Sequence, residues 1–424
     1  MIRWGVARMT DQDPAAGSLA GSEKVLGERT LLVISPDFPA QDNRYMGSLF
    51  VKNQLESLKH HFKHVIVIVP VLFSGGILPN DRYCHDYSYD NISVYYPRCF
   101  FFPRSVSLPL IKNSQKFSFD TRLSAVQNLI EKKHLQFDLI HAHFTWPSTY
   151  IATRLKEQYH IPVAATIHED SGWLKEEIQD ANQSLVDSWR NADALIRVNR
   201  QEIPLLKQYN DAVFFVPNGF SPLFKPMDTR TCRLQLQVSL EKPVLFSVGD
   251  LIPRKGFSYL IDALTIVRRQ YPNIICYIGG HGPEEKNLRR QIRDNHLEDR
   301  VILLGSIPED ILPLWMNCAD LYALPSLQES FGIVQIEALA CGKPVIAARN
   351  AGSREIVVSD DIGVLCDPHD SDSLACALVQ GLSRKWDHQK ILAYSEKYSW
   401  EMVVKSILPI YIRIIRNNRT HDPP

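Results

Sequence analysis

The stretch PSLQESFGIVQIEALACGKP, Pro325 to Pro344, carries two glutamates in an E-x7-E spacing, Glu329 and Glu337, around the turn Ser330-Phe331-Gly332. Glu337 falls within a run that otherwise reads as a buried helix. Ile333, Ala340 and Cys341 share its helical face, and a carboxylate on an apolar stripe is costly unless something binds it. A ligand hydroxyl would serve; so would an ion pair with Lys343 or Arg349. The stretch is flanked by short apolar runs, 320–324 (DLYAL) and 344–347 (PVIA), which fixes its place as the loop and helix between two strands.

Working outward, the same rhythm holds on both sides. Runs at 243–248, 275–279, 301–304 and 363–366 complete one strand–helix alternation. Upstream, VPNGFSPLFKPM (216–227) interrupts the pattern with Pro and Gly and reads as a hinge. Before it lies a second alternation. Its strand candidates are 30–35, 64–70, 92–96, 138–142, 162–167, 193–198 and 213–216, with helices expected at 46–60, 118–133, 147–159, 176–190 and 200–208. Short continuous apolar strands separated by helices predict parallel sheets covered on both faces. The fold class is therefore α/β: two Rossmann-like doubly wound domains facing across a cleft. The domains are expected at 24–217 and 218–398. Residues 1–23 read as a flexible N-terminal extension, and 399–424 as a helix that crosses back to the N-terminal domain, with a kink expected at Pro409.

Composition narrows the function. Lys plus Arg equals Asp plus Glu at 47 each, which offers no electrostatic footprint for nucleic acid. The 8 cysteines form no CxxC pair and several sit in apolar runs, as in a reducing, cytoplasmic compartment. No Walker A loop, no GxSxG and no GxGxxG after the first strand appears, and the absence of the last argues against a nicotinamide enzyme.

Several residues could carry chemistry. In SVGDLIPRKGFSYLIDAL (247–264) a strand ends at Gly249, and Arg254 and Lys255 stand just ahead of a helix N-terminus. Cationic side chains beside free backbone N–H groups suit a diphosphate; a solvated basic loop is the plainer reading. IGGHGPEEK (278–286) brings Gly279, Gly280 and Gly282 to the next strand end, either for close ligand approach or for a tight turn. The backbone of Ser330, Phe331, Gly332 and Ile333 opens another helix. In the first half Gly47 begins a helix, His141 and His143 alternate out of a strand, and His168 ends the next strand in HEDSGW, with Glu169 and Asp170 beside it at the cleft. Three histidines at adjacent strand ends raise the question of a metal, but the tight Cys/His spacing of zinc sites is missing, so no metal is assigned. His141 reads as structural and His168 as the substrate-contacting one.

The ordered set Gly249-x-Leu251-x3-Lys255-Gly256, Gly280-x-Gly282-Pro283, the E-x7-E block and Gly352-x2-Glu355, preceded by His141-x-His143, HEDSG and VPNG (216–219), resembles the retaining glycosyltransferases of family four, which have the GT-B fold. The resemblance covers nearly the whole chain beyond the extension. Two positions depart from the usual pattern: Met46 precedes Gly47 where a second glycine is common, and Ala351-Gly352-Ser353 replaces a Gly-Gly pair.

The resemblance implies metal-independent transfer of a hexose, with retention, from a nucleotide-diphosphate sugar to a hydroxyl of a glycan or lipid-linked acceptor. It implies no cofactor, the nucleotide sugar being a co-substrate. His168, Arg254, Lys255 and Glu329 would be catalytic. Gly47, Gly249, Gly282, Ser330, Phe331, Gly332, Ile333 and Glu337 would join Arg254, Lys255 and Glu329 in holding the donor. Surface polysaccharide or glycolipid assembly at the inner face of the cell membrane is the expected setting. The aromatic and basic segment 95–112 is the candidate for membrane contact. The alternatives are a nucleotide-sugar epimerase of the same architecture and a non-catalytic binding module.

Overall fold

The computed structural model describes residues 25–100, 114–179 and 183–419. The extension 1–23 lies outside them, as does most of the segment 95–112. In the first domain eight strands form one sheet. Their order is Val213–Phe215, Ala194–Arg197, Val163–Ile167, Leu139–His143, Thr30–Ile34, His64–Ile68, Ile92–Tyr95 and Tyr87–Tyr89. All neighbours are parallel except the last pair, a hairpin. In the second domain six strands, Val301–Gly305, Ile275–Gly279, Val244–Val248, Leu321–Leu324, Val345–Ala348 and Gly363–Cys366, form an all-parallel sheet.

The central strands are buried along their length, LIHAH and VAATI at every position, because helices cover both faces. In each sheet the chain winds one way from a central strand and then jumps to that strand's other side. The first jump lies between Thr30–Ile34 and Leu139–His143, the second between Val244–Val248 and Leu321–Leu324. The crevice at the carboxyl ends of such strands is where open α/β sheets bind ligands.

Two expected elements differ. The single helix at 176–190 is two, Ser171–Gln179 and Gln183–Asn191. The helix start moves upstream because Asp170 caps it, its Oδ1 accepting from the N–H groups of Gly172 (2.9 Å) and Trp173 (3.1 Å). The strand Tyr87–Tyr89 has no sequence counterpart above; its exposed, polar face hid it.

The chain crosses between domains twice, and the crossings lie side by side. Phe220 N–H donates to Tyr398 O at 3.0 Å, and Phe220 bridges Ser399. From there the helix Trp400–Arg419, which contains Pro409, runs over the first domain. Its Val403, Val404, Ile407, Leu408 and Tyr411 are buried in one core with Leu31, Val33 and Val65. Among the described residues no helix is long and apolar enough to cross a membrane.

Candidate functional site

Strands Val244–Val248 and Leu321–Leu324 are neighbours, so the loops that leave their carboxyl ends are neighbours too. The loop contact is tight. At Gly256, φ is +68°, and a Cβ would stand 2.2 Å from the Pro325 carbonyl oxygen. Only glycine combines that left-handed backbone with that approach. Beside it, Leu327 N–H donates to Arg254 O at 2.8 Å. This zips the Arg254-Lys255 loop onto the E-x7-E loop. Lys255 Nζ then lies 2.5 Å from Glu329 Oε1, with both side chains largely buried, and Arg254 Nη1 is 3.5 Å from Gln328 O. The structure therefore brings Arg254, Lys255 and Glu329 into one place.

The turn Ser330-Phe331-Gly332 is anchored from below. Phe331 is buried against Tyr398, and Gly352 N–H donates to Glu329 O at 3.0 Å. Gly332, at φ +83°, opens the helix Ile333–Ala340 with no side-chain cap. The first N–H groups of that helix lack intrahelical acceptors by construction, which suits its start to an anion. The Phe331 side chain belongs to the core.

The other glycines have a plainer cause than ligand approach. Cβ atoms at Gly47, Gly280 and Gly282 would meet backbone of Phe38 (2.8 Å), Gly249 (1.9 Å) and Leu251 (2.5 Å) respectively. They let the loops pack on one another. Gly249 differs, since a Cβ there meets nothing nearer than the Lys255 side chain at 3.6 Å.

Glu337, on the helix Ile333–Ala340, is partly buried. The ion pairs open to it in sequence are both absent: Lys343 Nζ donates to Thr229 Oγ1 at 2.9 Å, and Arg349 pairs with Asp367 at 3.4 Å. Burial first, and the nearby Glu309 second, push the Glu337 carboxyl up to about 8. A folded-state value above the unfolded one means the native protein holds an extra proton between roughly the ordinary carboxylate range and pH 8. Stability is therefore lost as pH rises through that window. Glu337→Gln removes this penalty, so the variant's melting temperature is expected to gain on the wild type from pH 5 to pH 9; a constant gap would show that the carboxyl does not titrate this way.

In the first domain the three histidines divide their tasks. His141 is fully buried, with Nε2 2.8 Å from Thr166 Oγ1 and Nδ1 2.7 Å from the Tyr411 hydroxyl, so it clamps the returning C-terminal helix. Both its nitrogens are taken. His143 Nδ1 lies 3.1 Å from His168 Nε2. His168 is half-buried between Phe50 and Phe144, with ring centroids at 4.8 and 4.9 Å. Burial first, then the Arg197 charge, hold it well below the usual imidazole range, so the ring is neutral. Its chain neighbours do not join it: Glu169 Oε1 accepts from Thr145 N–H at 2.6 Å, and Asp170 caps a helix. Both carboxylates thus serve the local backbone, while Glu169 Oε2 is buried without a partner and the Asp170–Gly172 turn lies beside Gln328 of the other domain.

Sequence reading missed the run Arg197–Glu202, which links the lobes. Asn199 caps Glu202, its Oδ1 accepting from that N–H at 3.2 Å. Asn three residues before Glu was a legible capping signal. Its second bond, Nδ2 to Ser330 O at 2.8 Å, joins residues 131 apart and left no local trace.

Comparison with known proteins bears on this geometry. Residues 228–397 match the family model for glycosyl transferases group 1, and residues 83–222 match that for glycosyltransferase family 4. The chain is 26% identical over 309 residues to D-inositol 3-phosphate glycosyltransferase of Acidothermus cellulolyticus, covering 67% of this chain and 69% of that one. Among solved structures, sucrose-phosphate synthase from Thermosynechococcus elongatus superposes with a TM-score of 0.72 at 22% identity, over 92% of this chain and all of that one. HepE of Anabaena, solved with UDP and glucose, gives 0.63 at 22% identity, over 93% of this chain and 98% of that one. These two structures share the fold.

Proposed function

The chain belongs to the glycosyl transferases group 1 family, with the GT-B fold, and from that premise we propose that it moves a hexose, with retention and without a metal ion, from a nucleotide-diphosphate sugar to a hydroxyl acceptor. The observation that carries this reading is the Lys255–Glu329 pair at 2.5 Å beside the uncapped helix at Gly332. A buried cation, an open row of N–H groups and a carboxylate meet at a topological switch point, and a sugar diphosphate needs all three.

Each group has a separate task. Arg254, Lys255 and the N–H groups at Ile333 take up the charge of the departing diphosphate. Glu329, freed from Lys255 as the diphosphate draws it away, accepts hydrogen bonds from the transferred sugar. Glu337 accepts from the ribose hydroxyls, which favour its charged form and lower its raised pKa. Gly47 approaches the diphosphate from the opposite lobe, and neutral His168 contacts the sugar near its anomeric carbon. The anomeric carbon–diphosphate bond breaks and a carbon–acceptor oxygen bond forms on the same face. The acceptor's proton passes to the departing diphosphate oxygen. UDP in the HepE complexes makes a uridine donor the first to try.

A glycan or lipid-linked acceptor suits the first domain, where Phe73, Ile77, Leu78 and Phe100 are exposed, Ile77 at 85%. Polysaccharide or glycolipid assembly at the inner face of the membrane is the setting the family resemblance suggests, and these exposed apolar side chains suit a membrane surface.

A thermal-shift screen of nucleotide sugars tests the reading, because a donor that binds only the folded state raises the melting temperature. Transfer by the identified donor is expected to persist in excess EDTA. Loss of activity restored by Mn²⁺ or Mg²⁺ would overturn metal independence, and a new sugar formed without acceptor would reassign the chain as an epimerase. A donor that binds but is never transferred or altered would leave a binding module.

A further inference from the structure

The end of strand Ala194–Arg197 supplies a buried network that runs from His168 to the turn at Ser330. Arg197 is fully buried. Its Nη1 donates to Ile167 O at 2.5 Å and its Nη2 to Glu169 O at 2.6 Å, the two carbonyls that flank His168. Its Nε donates to Glu202 Oε2 at 2.7 Å. The same carboxylate oxygen accepts from Asn199 Nδ2 at 3.1 Å, and that amide also reaches Ser330 O at 2.8 Å, in the other domain.

The next residue makes a second tie. Arg200 N–H donates to Glu355 Oε2 at 3.0 Å, its guanidinium pairs with Glu355 Oε1, and it stacks on Phe215 at 3.6 Å. Glu355 belongs to the helix Ala351–Ile356, whose Gly352 N–H holds Glu329 O. Both ties therefore end on the segment Glu329–Ser330.

We propose that Asn199 is a positioning residue that, with Arg200, fixes the distance between His168 on one lobe and the Glu329–Ser330 turn on the other. The proposal rests on the transferase reading above. Its physical basis is that the two half-sites sit on separate domains, and domain pairs joined by short crossings move unless contacts hold them. A transfer reaction demands alignment on the ångström scale. A buried amide shared between Glu202 and Ser330 O can supply it, because an unpaired carbonyl there would carry its own desolvation penalty.

Asn199→Ser separates this role from simple folding. Serine still caps the Glu202 N–H but is too short to reach Ser330. Arg200→Ala removes the second tie at an exposed side chain. Each variant is expected to lose roughly 10-fold in kcat, with the Kd of UDP by calorimetry within about twofold of wild type, since all the proposed nucleotide contacts except Gly47 lie on the second domain. The double variant should lose more than either. Small-angle scattering of the nucleotide-free double variant should show the lobes opening, a readout that needs no turnover. Unchanged scattering, or wild-type kcat in the double variant, overturns the proposal. Scattering that changes in a protein transferring no sugar from any donor would sustain the tie and sink the transferase reading instead.

Discussion

Lys255→Ala is expected to reduce kcat by roughly 10²–10³, the usual loss when one preorganised charge-stabilising contact is removed. In the proposed reading Lys255 meets the diphosphate, and its replacement leaves only Arg254 and the helix N–H groups for that task. The structure adds a second consequence. Lys255 and Glu329 are paired at 2.5 Å with side chains 14% and 9% exposed. Breaking a buried pair by deleting one partner destabilises by up to about 3–5 kcal/mol. With the cation gone, the Glu329 carboxylate is left largely buried without its partner. Lys255→Met with Glu329→Gln removes both charges and should restore much of the stability while transfer stays lost. Urea unfolding and kcat measured on the same preparations read both effects. A folded Lys255→Ala protein with full transfer activity would sink the diphosphate assignment.

Gly256→Ala is expected to disable the site without touching any chemical group in it. The backbone term alone, an L-residue at φ +68°, is worth about 1–2 kcal/mol. The added methyl would also stand 2.2 Å from the Pro325 carbonyl oxygen, so the two loops must part. Leu327 N–H then loses Arg254 O, and Lys255 is carried away from Glu329. A displacement of about 1 Å between such groups is enough for roughly 10² in rate. Stability by denaturant and kcat should both fall, whereas Gly75→Ala is a control. A Cβ at Gly75 meets nothing within 4 Å, and its φ of +66° imposes a similar backbone strain. Equal damage from both substitutions would mean that backbone strain, not loop contact, explains Gly256.

Much of the fold was legible because apolar runs of strand length alternate with helical patterns, and burial on both faces forces that pattern on a parallel sheet. The first and second sheets, and the loops at their carboxyl ends, followed from it. Where strands are polar and at an edge, as at Tyr87–Tyr89, the pattern is silent, since no core demands hydrophobicity there. The site was legible in part. Arg254, Lys255 and Glu329 announced themselves by residue type at helix starts, and Glu337 by its charge on an apolar face. The glycines were legible as glycines but not as to cause: for Gly280 and Gly282 the neighbour that excludes a Cβ is distant backbone, and for Gly47 it is the loop at Phe38.

By itself, then, the order of residues determined two wound sheets, the strand ends at which ligands bind, and the chemical types gathered there, because hydrophobic period and turn chemistry act over a few residues. Only the folded molecule decided that Lys255 is paired with Glu329, that neither Lys343 nor Arg349 pairs with Glu337, that His141 is spent on Tyr411 while His168 meets His143, and that Asn199 bonds Ser330 of the other lobe. The Lys255–Glu329, His141–Tyr411 and Asn199–Ser330 contacts join residues 74 to 270 apart in the chain. Such pairings are chosen by which strands lie side by side and which loops pack together, and no local pattern of sequence encodes that choice.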